Sequence, residues 1–474
     1  MRARRRNVLI DSSADAHPHR SSTTEQHSSR PLADTLRRPI SPAPPKTVGP
    51  LRHTEPYGPN RPAAPPTMKG SIMDPLTFAD VDSACRAGGA TVLSSVTDLV
   101  PAAGSHAGIA PARYVTGNQG TYAYETRYID DEAKSAVIVD SKASQLNRIE
   151  EAIALAIQEG DPALSRMPSI RVHYEGHPEY TSFDYQLPHR FTDGHIRFGT
   201  HEGKPVTEDP IYVDARNATT ANATALLELS PVSLVLGSWD STRRAHQARY
   251  RSCATGEIIG VLADQTESGR KPAPRGAARK DDLAPSVQLS EKDMLTLLKT
   301  QEDEMSSKTV EGIKKKAKAA KSGKTSASVL GLGSIPPSLD ALGLVSCSTI
   351  IRSHVLSFSA LRQIRFGSDN EANVACRSLL AALALHGIAL ADEELTLRAN
   401  CDLREASGSR VALDGRRGTQ REILPLTREV TGPLLGEAID AAASKAGIHW
   451  DGQVFEVTGN PIILGGIETD ADED

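Results

Sequence analysis

Trp239 to Ser252 reads Trp-Asp-Ser-Thr-Arg-Arg-Ala-His-Gln-Ala-Arg-Tyr-Arg-Ser, which sets Arg243, Arg244, Arg249 and Arg251 against one acid, Asp240. A guanidinium fork grips phosphate oxygens in pairs, and Trp239 and Tyr250 offer faces on which a base can stack, so the stretch suits a single-stranded nucleic acid. A solvated basic loop has the same composition. Arg352 to Gly367 repeats the style, with Arg352, Arg362 and Arg365 beside Phe358 and Phe366 and no acid. Its alternation is expected to lay some of these arginines on an open sheet face. A third patch is Pro188-His189-Arg190, followed by Asp193 and Arg197. Together they predict one localised polyanion groove, and do not distinguish RNA from DNA or from an acidic protein.

Other residues could do different chemistry. His173, His177, His189, His195 and His201 fall in one stretch, and a pair of them could act as acid and base in RNA cleavage or ligate a metal. The spacing of His173 and His177 would put both rings on one face of a helix. These residues flank Tyr174-Glu175-Gly176 at the end of an expected strand, so surface or RNA-contacting histidines are the favoured reading. Ser322-Gly323-Lys324-Thr325 resembles the end of a phosphate-binding loop, but Lys318 stands where the first glycine belongs and no strand is expected before it. A solvated lysine linker able to touch a polyanion is expected there. No cofactor and no metal is expected.

The elements that must position these groups mix both periods. Tyr122, Tyr124, Thr126 and Tyr128 alternate as one strand face, and Ala136 to Val139 and Ile170 to Tyr174 are further strands. Leu146, Ile149, Ile153 and Ile157 recur at helical spacing, turning Asn147, Arg148, Glu150 and Glu151 outward. A first helix is expected over 78–87, and another from Ser290 to Met305 with Met294, Leu295 and Leu298 on one side. Later, Ser348 to Ser357 is strand-like. Ser368 with Glu371 forms a capping box before Ala375, Leu379 and Leu383. Leu395 to Leu403 reads as a strand, Pro433 as the first turn of a helix over 434–446 closed by Gly447, and Val454 to Val457 as the last strand. Strands separated by helices in both halves predict an α+β fold of the β-α-β-β-α-β kind with long insertions.

The 474 residues carry a net charge of −5 with 4% aromatic content. Residues 1–68 hold 11 Lys/Arg and 5 Asp/Glu, which leaves the rest near −11. Residues 1–67 are rich in Pro, Ser, Arg and His without apolar period and are expected to be a disordered extension. Met1, Met68 and Met73 are the candidate starts. The expected organisation continues with 68–264 as the first part of the fold, 265–328 as a Lys/Pro/Gly-rich insertion, 329–467 as the second part and 468–474 as an acidic tail. Val8 to Ile10 is too short for a signal peptide, and Leu379 to Ala391 is interrupted by His386 and Gly387, so neither export nor a membrane partner is expected. Cys85, Cys253, Cys347, Cys376 and Cys401 are odd in number and scattered, which fits reduced thiols in the cytoplasm rather than a disulfide framework.

A further set of motifs runs through the same regions. These are Asp140-Ser141, Ser144-Gln145-Leu146-Asn147-Arg148-Ile149-Glu150, Pro188-His189-Arg190, Leu229-Ser230-Pro231-Val232-Ser233-Leu234 and Gly237-Ser238-Trp239-Asp240-Ser241-Thr242-Arg243. Gly256-Glu257-Ile258-Ile259-Gly260, Gly331-Leu332-Gly333-Ser334-Ile335-Pro336-Pro337-Ser338, Leu356 to Arg362 and Arg365-Phe366-Gly367 follow. In order and spacing, over roughly residues 75–467, they resemble the backbone RAMP subunit of type I-U (I-G) CRISPR effector complexes. The N-terminal 67 residues and Lys308 to Lys324 have no counterpart in that pattern.

The resemblance implies an RRM-like (ferredoxin-like) palm with large inserted thumb and finger segments. It implies a non-enzymatic subunit that polymerises along CRISPR RNA, beside other subunits of the complex, and presents the guide for pairing with target DNA. On this reading the RNA contacts are Asn147, Arg148, His189, Arg190, Trp239, Arg243, Arg244, Arg249, Arg251, Arg352, Arg362 and Arg365. Arginines would hold phosphates, Trp239 would stack or wedge between bases, and Asn147 would bond sugar or phosphate. Two rivals stand beside it: a metal-independent endoribonuclease using His189 or His195, and a scaffold whose basic patches bind acidic protein surfaces.

Overall fold

The structure is a computed structural model and describes residues 73–117, 119–244, 249–271, 275–277, 287–320, 323–333 and 338–466. The extension over 1–67, Met68, His246, Ser322 and the tail over 468–474 lie outside the described residues.

Period-two burial builds the central sheet. Along β1, Val92–Pro101, the inward positions Leu93, Ser95, Thr97 and Leu99 are buried and their neighbours are not. The sheet adds β2 (Tyr124–Ile129), β3 (Glu132–Asp140), β4 (Ala254–Leu262), β5 (Cys347–Ser357), β6 (Arg410–Arg416) and β7 (Thr419–Ile423). Their order is β7-β6-β1-β5-β4-β3-β2, with Leu403–Glu405 also pairing to β1. These pairings are antiparallel. Register puts Leu93 opposite Leu356 and Ala254 opposite Leu356, so one apolar row crosses three strands.

Four helices pack with this sheet: α1 (Phe78–Cys85), α2 (Lys142–Gln158), α3 (Asn370–Glu394) and α4 (Arg428–Ala446). The central one is α3, against which α1, α2 and α4 all lie. By length and composition α3 could cross a membrane, but 89% of its apolar window is buried inside the fold. Each of Leu379, Leu380, Leu383 and Leu385 is fully buried, and such burial stabilises by about 1.5–3 kcal/mol per side chain. An antiparallel sheet backed by helices, with long excursions between strands, is a ferredoxin-like, RRM-like α+β core with insertions. One excursion, between β3 and β4, supplies most of a second sheet, which Val454–Thr458, following α4, completes by pairing in parallel with Ser169–Tyr174. Another, between β4 and β5, carries the lysine-rich segment.

Two family-like motifs turn out to be architectural. Asp140, at the end of β3, accepts from Ser144 Oγ at 2.9 Å and Gln145 Nε2 at 2.7 Å, and is paired with Arg398. Ser141 caps α2 by accepting from the Ser144 N–H at 3.2 Å. Gln145 in turn meets His354 Nε2 on β5 at 3.1 Å. Gly256 makes room for that histidine, since an added Cβ would fall into its ring and lie 3.2 Å from Gln145 Cβ.

Several expected elements are displaced, for identifiable reasons. The tyrosine alternation is two strands, because Gln119–Tyr122 pairs with Arg113–Thr116 whereas β2 pairs with β3; alternation is blind to a change of partner. Asp369, not Ser368, caps α3, accepting from Ala372 at 2.7 Å. Helix α3 runs to Glu394 and Leu395 ends it at φ 41°, so Leu395 to Leu403 is not a strand and pairing begins only at Leu403. Pro433 lies inside α4, which already starts at Arg428; Gly447 does end it, at φ 68°. The helix expected from Ser290 stops at Leu298, and Ser307–Lys318 is a second helix rather than a lysine linker, because Val310, Ile313 and Ala317 recur on one buried face. All five cysteines carry free thiols. Burial pushes those of Cys85, Cys253, Cys347 and Cys376 up to about 12.

Candidate nucleic-acid interface

The groove begins with a turn only glycine tolerates. Helix Pro231–Val235 leads to Gly237 at φ 93°, where an added Cβ would sit 2.9 Å from the Ser252 nitrogen. The chain then forms a two-stranded ribbon that pairs Ser238 with Tyr250 and Trp239 with Arg249. Trp239 is 52% exposed, and the Arg249 guanidinium lies 5.0 Å from its ring centroid. This contact places the guanidinium charge over an indole that solvent also reaches.

Around the ribbon, His189, Arg190, Thr220, Trp239, Arg249, Arg251 and Gln363 line a concavity of about 820 Å³. His189, Arg249 and Arg251 are exposed. Arg190 is not a free cation of this groove. Held at φ 49°, it donates through Nε to Glu150 Oε1 at 2.6 Å and through Nη1 to the Gly237 carbonyl at 2.7 Å. It therefore fastens the His189 loop to α2 and to the ribbon. Asp193 orders the same loop, accepting from the His189 N–H at 3.2 Å and the His195 N–H at 2.9 Å.

Glu150 is a correction, since helical spacing turned it outward and the fold buries it. Burial raises its pKa to about 6, against the pull of Arg190. Tyr250 is likewise buried rather than offered for stacking, and its phenol is pushed up to about 12 by burial.

The remaining expected contacts scatter according to their elements. Arg243 donates to the Arg216 carbonyl at 3.0 Å and to Asn217 Oδ1 at 2.9 Å, beside the buried Arg216–Asp240 pair at 2.8 Å. Arg244 is exposed next to it. Arg365 is exposed at the rim, where its N–H donates to the carbonyl of the groove residue Thr220 at 2.9 Å. Asn147 is exposed and lines a neighbouring concavity of about 550 Å³ that shares Pro188 with the groove. Arg148, about 100° further round the helix, pairs with Glu151 at 3.0 Å beside Ala391 and Glu394.

Two arginines belong to the core. Arg362 donates to the carbonyls of Ala84 at 2.6 Å and Ala90 at 2.8 Å, closing the end of α1. Arg352 is 2% exposed, with Nε 3.2 Å from Asp392 and Nη2 2.5 Å from Glu405. Some arginines of this stretch were expected on an open sheet face; Arg352, the one on β5, is instead turned inward with Ile350, His354 and Leu356. Phe358 and Phe366 are buried too.

Burial raises the Asp392 carboxyl to about 7. Between about pH 4 and about pH 7 the folded protein then holds a proton that the unfolded chain has lost, so stability falls as pH rises through that window. Asp392→Asn is expected to remove that slope, about 1.4 kcal/mol per pH unit at its steepest. Urea unfolding of both proteins at several pH values measures it, and a difference independent of pH would mean an ionised Asp392 throughout.

The histidines do not form a common centre. His195 Nδ1 meets the Tyr174 hydroxyl at 2.6 Å, His201 stacks on Phe455 at 4.2 Å, and His177 lies 3.1 Å from Glu179. Among the described residues no group of three His, Cys, Asp or Glu side chains is placed to hold a metal ion. Sequence reasoning missed Glu150 as the groove's anchor, although an acid beside the apolar stripe of α2 was a signal for a buried counter-cation. It also missed Thr220 and Gln363, whose neutral side chains carry no signal.

Residues 93–265 match the family model described as CRISPR-associated protein GSU0053, a family of the Cas7 type. The match runs from β1 to just beyond β4 and includes the Pro188–Arg190 loop and the Trp239 ribbon. No curated protein matches the chain.

Proposed function

We propose that this chain, of which residues 93–265 match a CRISPR-associated family model, is a non-catalytic RNA-binding backbone subunit of a type I-U/I-G CRISPR effector complex. It polymerises along CRISPR RNA in the cytoplasm, contacts other subunits of the complex, and presents the guide for pairing with invading DNA. The observation that carries this reading is the groove in which His189, Trp239, Arg249 and Arg251 converge on ordered elements of an otherwise acidic chain. A solvent-facing indole with a guanidinium on it, beside Arg251 and the His189 ring, holds a sugar-phosphate strand and one unstacked base without reading its identity. Sequence reading is then left to guide pairing, the division of labour that RNA-guided effectors use.

Co-expression with a CRISPR array, followed by sequencing of the nucleic acid that copurifies, tests the proposal. Uniform spacer-containing RNA in a high-mass assembly is the expected result. A folded, nucleic-acid-free monomer would overturn it in favour of a protein scaffold. Time-dependent cleavage of repeat RNA, lost in His189→Ala or His195→Ala, would overturn the non-catalytic assignment.

A further inference from the structure

The ion pair between Glu150 and Arg190 stands as a partition between two concavities. Arg190 is part of the wall of the groove, Glu150 is part of the wall of the neighbouring concavity, and Pro188 belongs to both. The two side chains are nearly sealed, Glu150 at 9% exposure and Arg190 at 13%. An ion pair at this depth stabilises little over an apolar pair of the same volume, because each charge gives up its hydration. What it does provide is a cation in the groove wall whose charge is cancelled by the acid behind it, a balance that one proton alters.

The surroundings of Glu150 oppose its charge. Burial raises its carboxyl to about 6 although Arg190 favours the ionised form. From the short helical turn Asp184–Gln186, the fully buried Asp184 repels it across the interior; burial raises this carboxyl likewise to about 6, and it accepts from Ser230 Oγ and from the Ile170 N–H at 3.0 Å. Glu151, the next residue on α2, repels it from the surface, where Arg148 pairs with Glu151 at 3.0 Å. Tyr185 shares the lining of the neighbouring concavity and stays protonated, since burial pushes its phenol well up. On the loop that carries Arg190, His189 lines the groove, while Asp193 is engaged by the His189 and His195 N–H groups.

We propose that Glu150 and Arg190 form a proton-controlled latch on the groove: when Glu150 takes up a proton, the Arg190 charge is released from it and passes to the phosphate backbone of the bound strand. The inference rests on the reading of the groove as an RNA site and concerns the regulation of that site. Proton and strand then favour each other by the same factor. A phosphate at Arg190 competes with Glu150 and raises its proton affinity, and a protonated Glu150 leaves the groove with one more positive charge. The bond from Arg190 Nη1 to the Gly237 carbonyl keeps the side chain at the wall meanwhile.

The test measures affinity for a single-stranded RNA, and its salt dependence, from about pH 7.5 to about pH 5.5, a range that spans the ordinary titration of an imidazole as well. The full-length wild type is therefore compared with His189→Gln, Glu150→Gln, the double variant and Asp184→Asn. The wild type is expected to bind about 3–10-fold tighter at the acidic end, as linkage of up to one pKa unit allows, with a salt slope steeper by up to about one unit. His189→Gln should keep part of this step. Glu150→Gln should bind about 3–10-fold tighter than the wild type already at the neutral end, and the double variant should be flat. Asp184→Asn should move the step to lower pH without abolishing it, because it removes a like charge. Calorimetry of His189→Gln in buffers of different ionisation enthalpy should show proton uptake as RNA binds. A step that survives unchanged in Glu150→Gln, a step that vanishes in His189→Gln, no proton uptake, or weaker binding by Glu150→Gln at every pH, as for a pair that only fastens the loop, would each overturn the latch and leave the groove standing. A wild type that binds no RNA at any pH would overturn the groove and the latch with it.

Discussion

Arg352→Ala is expected to lower the unfolding free energy by about 3–5 kcal/mol, seen as a lower urea midpoint, while the protein that remains folded keeps its RNA affinity. The side chain is fully enclosed between β1, β5 and the end of α3. There it donates to Thr97 Oγ1 at 3.3 Å and to the Asp392 carbonyl at 3.3 Å, besides its contacts with Asp392 and Glu405. Truncation would leave a void and, above about pH 7 where Asp392 is ionised, strip a buried carboxylate of its partner. It would also relieve His354, whose pKa burial and then Arg352 push down to about 3. Arg352→Met should recover part of the loss, because methionine refills the volume and Asp392 can take up a proton. A loss of RNA affinity in Arg352→Met with stability preserved would return this residue to the binding surface.

The second large effect concerns the groove. Trp239→Ala is expected to weaken binding of single-stranded CRISPR RNA by about 1–3 kcal/mol, roughly 5–150-fold, through lost base stacking. Arg249→Ala in the same background should add little stacking loss, because that guanidinium is positioned by the indole, but it should lower the salt slope by about one unit. Fluorescence anisotropy across a salt series separates the two contributions. Binding that is indifferent to Trp239 would leave a purely electrostatic groove. Arg190→Ala should act differently again, lowering stability together with affinity, since its bonds run to Glu150 and Gly237 and hold the loop that carries His189.

Much of this protein was determined locally. The β-branched run of β5, the stripe of Ile149 and Ile153 on α2, the Ser290 cap and the Gly447 stop all follow from composition, periodicity and capping, which are properties of neighbouring residues. By contrast, β1 buries Ser95 and Thr97 and leaves Val96 half-exposed, so its inward face was not legible. The acid-poor run around Trp239 was equally plain, and it does form the ribbon of the groove. What sequence order did not determine was which arginines are spare. Arg249 and Arg352 have the same chemistry and both stand in acid-poor runs, yet one lies in solvent against an indole and the other is sealed in the core.

The difference is made by carboxylates far along the chain. Asp392 stands 40 residues from Arg352, Glu405 stands 53 away, and Glu150 and Arg190 are likewise 40 apart. A local pattern specifies which face of a strand or helix a side chain occupies, but only packing one element on another decides what that face meets. An arginine that meets a buried carboxylate becomes a counter-ion, because leaving either charge dry and unpaired costs several kcal/mol, and one that meets water stays available for phosphate. That choice was made by the tertiary structure, and it alone converts a set of basic patches into one groove.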